Sequence, residues 1–133
     1  MKKKDDKIRN IAFFSSKNGR VMTVHSEMAK QYAQQLEADD TVICYETDVP
    51  LTGLKSRVSS VGFRKGTLGG EWTSDFMVVQ QNQLAKIIEI VDEEKLEEKR
   101  WCSEQLELSR RYWKAVGVPG WKTIIMKRGE TAW

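Results

Sequence analysis

One stretch constrains this chain more than any other: an apolar run, a long amphipathic segment and a second apolar run follow in direct succession. Leu84 to Val91, Leu-Ala-Lys-Ile-Ile-Glu-Ile-Val, reads as a buried strand. From about Glu93 to Val116 the spacing predicts a helix. Cys102, Leu106, Ser109, Trp113 and Val116 mark the centre of its buried stripe, with Leu108 and Tyr112 beside it. Gly117 and Pro119 end that helix, and Trp121 to Met126 is the next strand. A strand, a long helix and another strand form a crossover unit, which sets two strands parallel with the helix on one face. The expected architecture is α/β, a mixed sheet flanked by helices.

The rest of the chain fits that plan. Residues 1 to 10 read as a flexible, charged lead-in, and 11 to 133 as a single domain, since 133 residues make one core and not two. Ile11 to Phe14 and Val21 to Val24 are short extended pieces around the turn Lys17-Asn-Gly-Arg20. Ser26 caps a helix whose apolar face is Ala29, Tyr32, Ala33 and Leu36. Thr41 to Tyr45 is a strand by its β-branched and aromatic content. Glycines fill the next segment, where a hairpin is expected from Val58 to Phe63 and Glu71 to Val79.

Composition narrows the function. With one histidine and two cysteines, a zinc finger, a Ser-His-Asp triad and a disulfide scaffold are all disfavoured. Cys44 and Cys102 are expected as reduced thiols in a cytoplasmic protein, because no apolar run suits a signal peptide or a membrane span. The net charge of +3 matters less than its placement. Lys55, Arg57, Arg64 and Lys65 stand together without an acid, which suits an anionic partner such as DNA.

Two acids sit where acids are costly. Asp75 interrupts Trp-Thr-Ser-Asp-Phe-Met-Val-Val, and Glu89 interrupts Ile-Ile-Glu-Ile-Val. Antiparallel pairing of these strands brings Asp75 and Glu89 side by side, and Glu27 in the first helical turn is a candidate third carboxylate. Converging carboxylates call for a divalent cation, and hard oxygen ligands beside phosphate suit Mg2+, with Mn2+ as a substitute. Such a site can hydrolyse a phosphodiester. The alternative is that the two strand acids face solvent or a counter-charge, and that Glu27 only complements the helix dipole. His25 reads as a surface or capping residue, and Arg110-Arg111 as the solvated edge of the long helix.

Several ordered blocks resemble one family. Ser16-Lys-Asn-Gly-Arg20, Ser26-Glu27 and Leu36 to Tyr45 with Pro50 form its opening block. Trp72 to Val79 is its aspartate-bearing strand, with Ser74 where a proline is common. Glu104-Gln-Leu-Glu-Leu-Ser-Arg-Arg-Tyr-Trp-Lys114 with Gly117-Val-Pro is its following helix. Together they resemble the N-terminal, restriction-endonuclease-like PD-(D/E)xK domain of the TnsA transposon endonucleases over roughly residues 14 to 128. The resemblance implies a Mg2+-dependent DNA endonuclease acting at transposon ends, beside a DDE transposase subunit and an AAA+ ATPase regulator. It assigns Glu27, Asp75 and Glu89 as the catalytic, metal-holding acids. Val91 stands where the family has its lysine. Lys86 is excluded as a replacement by strand alternation, whereas Lys95 and Lys99 are candidates for a migrated lysine. The competing expectation is a nuclease-fold subunit that binds DNA or assembles a complex without cleaving.

Overall fold

The computed structural model describes residues 10–59, 61, 63, 67–69, 71–93 and 100–126. Ile11–Ser15 (β1) and Arg20–Val24 (β2) form an antiparallel hairpin of their own, closed by the Asn-Gly turn. Helix α1, Glu27–Ala38, starts where expected: Ser26 is its N-cap, and the Ser26 hydroxyl accepts from the Ala29 N–H at 3.1 Å. Val42–Pro50 is β3, Leu54–Arg57 a single helical turn (α2), Thr73–Gln80 β4 and Lys86–Asp92 β5. Arg100–Val116 is α3 and Gly120–Met126 is β6.

The main sheet has the order β3-β4-β5-β6. Its first two pairings are antiparallel, while β5 and β6 run parallel. The crossover read from the sequence is therefore present, and the fold is α/β with a mixed sheet, compatible with a restriction-endonuclease-like arrangement. Two glycines make the crossover possible. Gly117 adopts φ +99° as α3 ends, letting the N–H groups of Gly117 and Val118 close on the Trp113 carbonyl at 3.1 and 2.9 Å. At Gly120 a Cβ would lie 2.6 Å from the Lys86 Cβ, so any side chain there would force β6 away from β5.

Each face of the sheet carries its own core. On one, Met22 and Val24 of β2 and Ala29, Ala33 and Leu36 of α1 cover Tyr45, Phe76, Val78 and Ile88. On the other, Leu108, Tyr112 and Trp113 of α3 meet Ile87, with Leu51, Leu54 and Val58 closing the flank.

Four expectations need correction. Strand β3 runs on to Pro50, because it pairs with β4 along its length. Leu84 is not part of β5; it lies in the preceding turn and is 75% exposed. No described residue of 58–63 is in a strand, and β4 pairs with β3 and β5 instead of with that segment. Finally, the buried side of α3 is Gln105, Leu108, Ser109, Tyr112 and Trp113, while Leu106 is half-buried and Val116 exposed. α2 packs on α3 and draws the Leu108–Tyr112 flank inward, which turns the stripe away from the one periodicity suggested.

Candidate functional site

Strands β4 and β5 pair only through Phe76–Val78 against Lys86–Ile88. Continued by one step, this register sets Asp75 across from Glu89, as the sequence suggests. There the backbone ladder gives way and the two carboxylates replace it. Asp75 Oδ2 accepts from the Ile90 N–H at 2.7 Å, and Glu89 Oε1 accepts from the Asp75 N–H at 3.3 Å. These acids close a fork between two strands by supplying acceptors that the diverging backbone no longer provides.

The other neighbour, β3, is distorted at the same level. Thr47 pairs with Phe76 and Val49 with Ser74, so Asp48 lies across from Asp75, and Asp48 has φ +54°. That left-handed residue turns the strand over. Tyr45 belongs to the α1-side core and Val49 to the α3-side core, although alternation alone would place residues four apart on one face. β4 switches in step: Phe76 packs beneath α1, whereas Ser74 bonds to α3.

The switch delivers Ser74 to Glu89. Glu89 is 1% exposed, and its Oε2 accepts from the Ser74 hydroxyl at 2.6 Å and from the Ser109 hydroxyl of α3. Both serines are fully buried and held by indoles. Trp113 Nε1 donates to Ser74 Oγ at 2.9 Å, and Trp121 Nε1 to Ser109 Oγ at 3.0 Å. Burial, and then the neighbouring Asp75 charge, push the Glu89 carboxyl up to about 7 despite the two hydroxyls.

The remaining sequence candidates lie elsewhere. Glu27 is exposed in the first turn of α1. Among the described residues, no group of three or more His, Cys, Asp or Glu side chains is placed to hold a metal, so the structure assembles the Asp75–Glu89 pair and not the three-acid cluster. Val91 is buried at 3% exposure. His25 reaches Asp48 at 3.0 Å, tying the start of α1 to the distorted point of β3. Lys55 belongs to α2 and Arg57 is exposed, while Arg64, Lys65, Lys95 and Lys99 lie outside the described residues. Arg110 and Arg111 both pair with Glu107, and Arg111 also donates to the Val61 carbonyl at 2.9 Å and stacks over Phe63.

Sequence reasoning missed the partners of Glu89. A serine among Leu108, Tyr112 and Trp113 was the available signal, because a buried hydroxyl needs a partner of its own. No helix among the described residues is long and apolar enough to cross a membrane. No protein-family model matches the chain, and no curated protein matches it.

Proposed function

We propose that this chain is a divalent-metal-dependent DNA endonuclease subunit with Asp75 and Glu89 as its acidic centre. The observation that carries the reading is that each carboxylate accepts from a backbone N–H of the opposite strand where β4 and β5 part, with the Asp75 charge acting on Glu89. Their chemistry fits a hard cation: two oxygen-donor side chains share a site, one of them buried and raised to about 7 partly by its neighbour's charge. Bound there, Mg2+ or Mn2+ would supply Lewis-acid polarisation of a phosphodiester. The chain's own residues do the positioning. Ser74 and Ser109 fix the Glu89 carboxyl, and the Ile90 N–H fixes that of Asp75. The exposed Arg57, with Lys55, Arg64 and Lys65, is proposed to meet the DNA backbone. Action at transposon ends, with DDE transposase and AAA+ ATPase partners, follows from the resemblance to the TnsA family.

A second reading is favoured by Val91, whose buried aliphatic side chain offers no charge to an attacking water or leaving group. In that case the chain is a cleavage-deficient DNA-binding or assembly subunit. A nicking assay with Mg2+ or Mn2+ separates the two. The nuclease reading expects weak cleavage, lost in Asp75→Ala and raised about 10²–10³-fold in Val91→Lys. No cleavage by either the natural chain or Val91→Lys, with a transposase partner present, leaves the assembly reading.

A further inference from the structure

We infer that Ser109 and Trp121 are positioning residues that let Glu89 hold a cation through Oε1 alone, so that the site prefers Mg2+ or Mn2+ to Ca2+. The inference rests on the proposed metal site and names the residues that set its selectivity. A carboxylate oxygen has two lone pairs to offer. Both of those on Glu89 Oε2 are taken, one by the Ser74 hydroxyl at 2.6 Å and the other by the Ser109 hydroxyl. Among the described residues Oε1 accepts only from the Asp75 N–H, at 3.3 Å, and so keeps a lone pair for a cation. Glu89 can therefore supply one ligand atom and not two.

The indoles keep the serine hydrogens on Glu89. A hydroxyl has a single hydrogen, and an indole N–H can only donate. Trp121 Nε1 donates to Ser109 Oγ at 3.0 Å, so Ser109 accepts from β6 and directs its own hydrogen to the carboxylate. Trp113 does the same for Ser74 from 2.9 Å. The two serine oxygens lie 3.2 Å apart and compete for each other's hydrogen, but an ionised acceptor makes the stronger bond. Strand register puts Trp121 in reach. It pairs with Ile87 across β5 and β6, and Ile87 is two residues from Glu89 on the same face. No side chain has to move. The cations differ in what they require of a carboxylate. Ca2+ gathers about six to eight oxygens and readily takes a carboxylate by both of its own, whereas Mg2+ stays near octahedral and retains several waters. Filling Oε2 removes a ligand atom that Ca2+ can use and that Mg2+ or Mn2+ does not need.

The test titrates the full chain with Mn2+ alone and with Ca2+ alone, each variant first being melted without metal to establish that it is folded. The natural chain should prefer Mn2+ to Ca2+. Ser109→Ala should narrow that preference about tenfold, and Trp121→Phe, which keeps a ring and loses the N–H, about threefold. The double variant should match Ser109→Ala, because Trp121 acts through the serine. Tyr112→Phe removes an α3 hydroxyl that meets Thr52 at 3.4 Å, and should leave the preference unchanged. A preference unchanged in both Ser109→Ala and Trp121→Phe overturns the inference, as does one that shifts equally in Tyr112→Phe. Additive losses in the double variant also overturn it, because Trp121 would then act by packing. If Ser109→Ala does not fold, Trp121→Phe, at a half-buried position, decides the matter alone. Asp75→Asn is the control. If it binds both cations like the natural chain, the metal reading itself fails; if it loses Mn2+ while the serine and indole variants keep the natural preference, this inference alone is wrong.

Discussion

Two glutamates on opposite sides of the sheet have almost the same donors and respond in opposite ways. Glu37 of α1 accepts from the Ser15 hydroxyl at 2.5 Å, from the Tyr45 hydroxyl and from the Lys17 N–H at 3.2 Å. Glu89 accepts from the Ser74 and Ser109 hydroxyls and from the Asp75 N–H. Burial raises both carboxyls. At Glu37 the hydrogen bonds and the Lys17 charge outweigh it and hold the group below the usual range, whereas at Glu89 full burial and the Asp75 charge prevail. Donor count therefore does not decide what a hydrogen-bonded acid does; solvent access and the sign of the nearest charge do. Glu37 is a clasp that joins the hairpin to α1 and β3, satisfied as it stands. Glu89 carries an electrostatic deficit that a cation can relieve.

The largest effect expected is from the indole that supports the Glu89 side. Trp113 is 4% exposed and donates to Ser74. Trp113→Ala should cost about 3–5 kcal/mol, a large part of the roughly 5–15 kcal/mol that holds such a domain together. Trp113→Phe separates the causes: it keeps most of the apolar volume and loses the bond to Ser74. Denaturant melts in which Trp113→Ala stays within a few tenths of a kcal/mol of the natural protein would remove the packed wall from the comparison.

A smaller effect tests the sign at Glu89. Its carboxyl ionises near 4.5 when unperturbed and at about 7 in the fold, so the folded state holds the proton more tightly. The stability this lends is full below 4.5 and is lost as pH rises through about 7. Glu89→Gln, which mimics the protonated form, should therefore gain on the natural protein by on the order of 1–3 kcal/mol between pH 4 and pH 8. Mg2+ should narrow that gap at pH 8 by stabilising only the carboxylate. A difference that is flat with pH would mean the deficit is not there.

The comparison also marks how far the sequence could be read. β5, α3 and β6 were legible because a period-two run, a 3.6-period run and Gly117 with Pro119 punctuate one another. The Ser26 cap and the Asn-Gly hairpin were equally local signals. The opposition of Asp75 and Glu89 followed from two strands joined by a short turn. What local pattern does not encode is a change of face. The left-handed Asp48 turns β3 over and brings Ser74 round to α3, and nothing in the spacing announces it. The glycines after Pro50 imply turns, and with them a hairpin from Val58 to Phe63 and Glu71 to Val79, yet Leu54 and Val58 pack instead with Leu108, Tyr112 and Trp113 of α3, far along the chain. Glu37 was unreadable for a related reason: its partners come from β1, its turn and β3, joined only in the folded chain.

Glu37 supplies the smallest effect and the counterpart in sign. A carboxyl held below its usual range stabilises the fold above the ordinary value of 4.5, and that contribution is lost as pH falls through the lower folded value. Glu37→Gln keeps an oxygen for Ser15 and Tyr45 but turns an N–H2 toward the Lys17 N–H, so one of the three bonds is lost and the charge with it. Because the group is only half-buried, screening holds the cost to about 1 kcal/mol at pH 7. The cost should shrink as pH falls below 4.5, because the carboxyl of the unfolded chain takes up its proton before the folded one does. In urea melts at pH 3, 5 and 7, the Glu37→Gln penalty should therefore grow with pH while the Glu89→Gln benefit also grows. A Glu37→Gln penalty largest at pH 3 would break the comparison, because the two carboxyls would then depart from their ordinary range in the same direction, and the clasp would be as short of positive charge as the site.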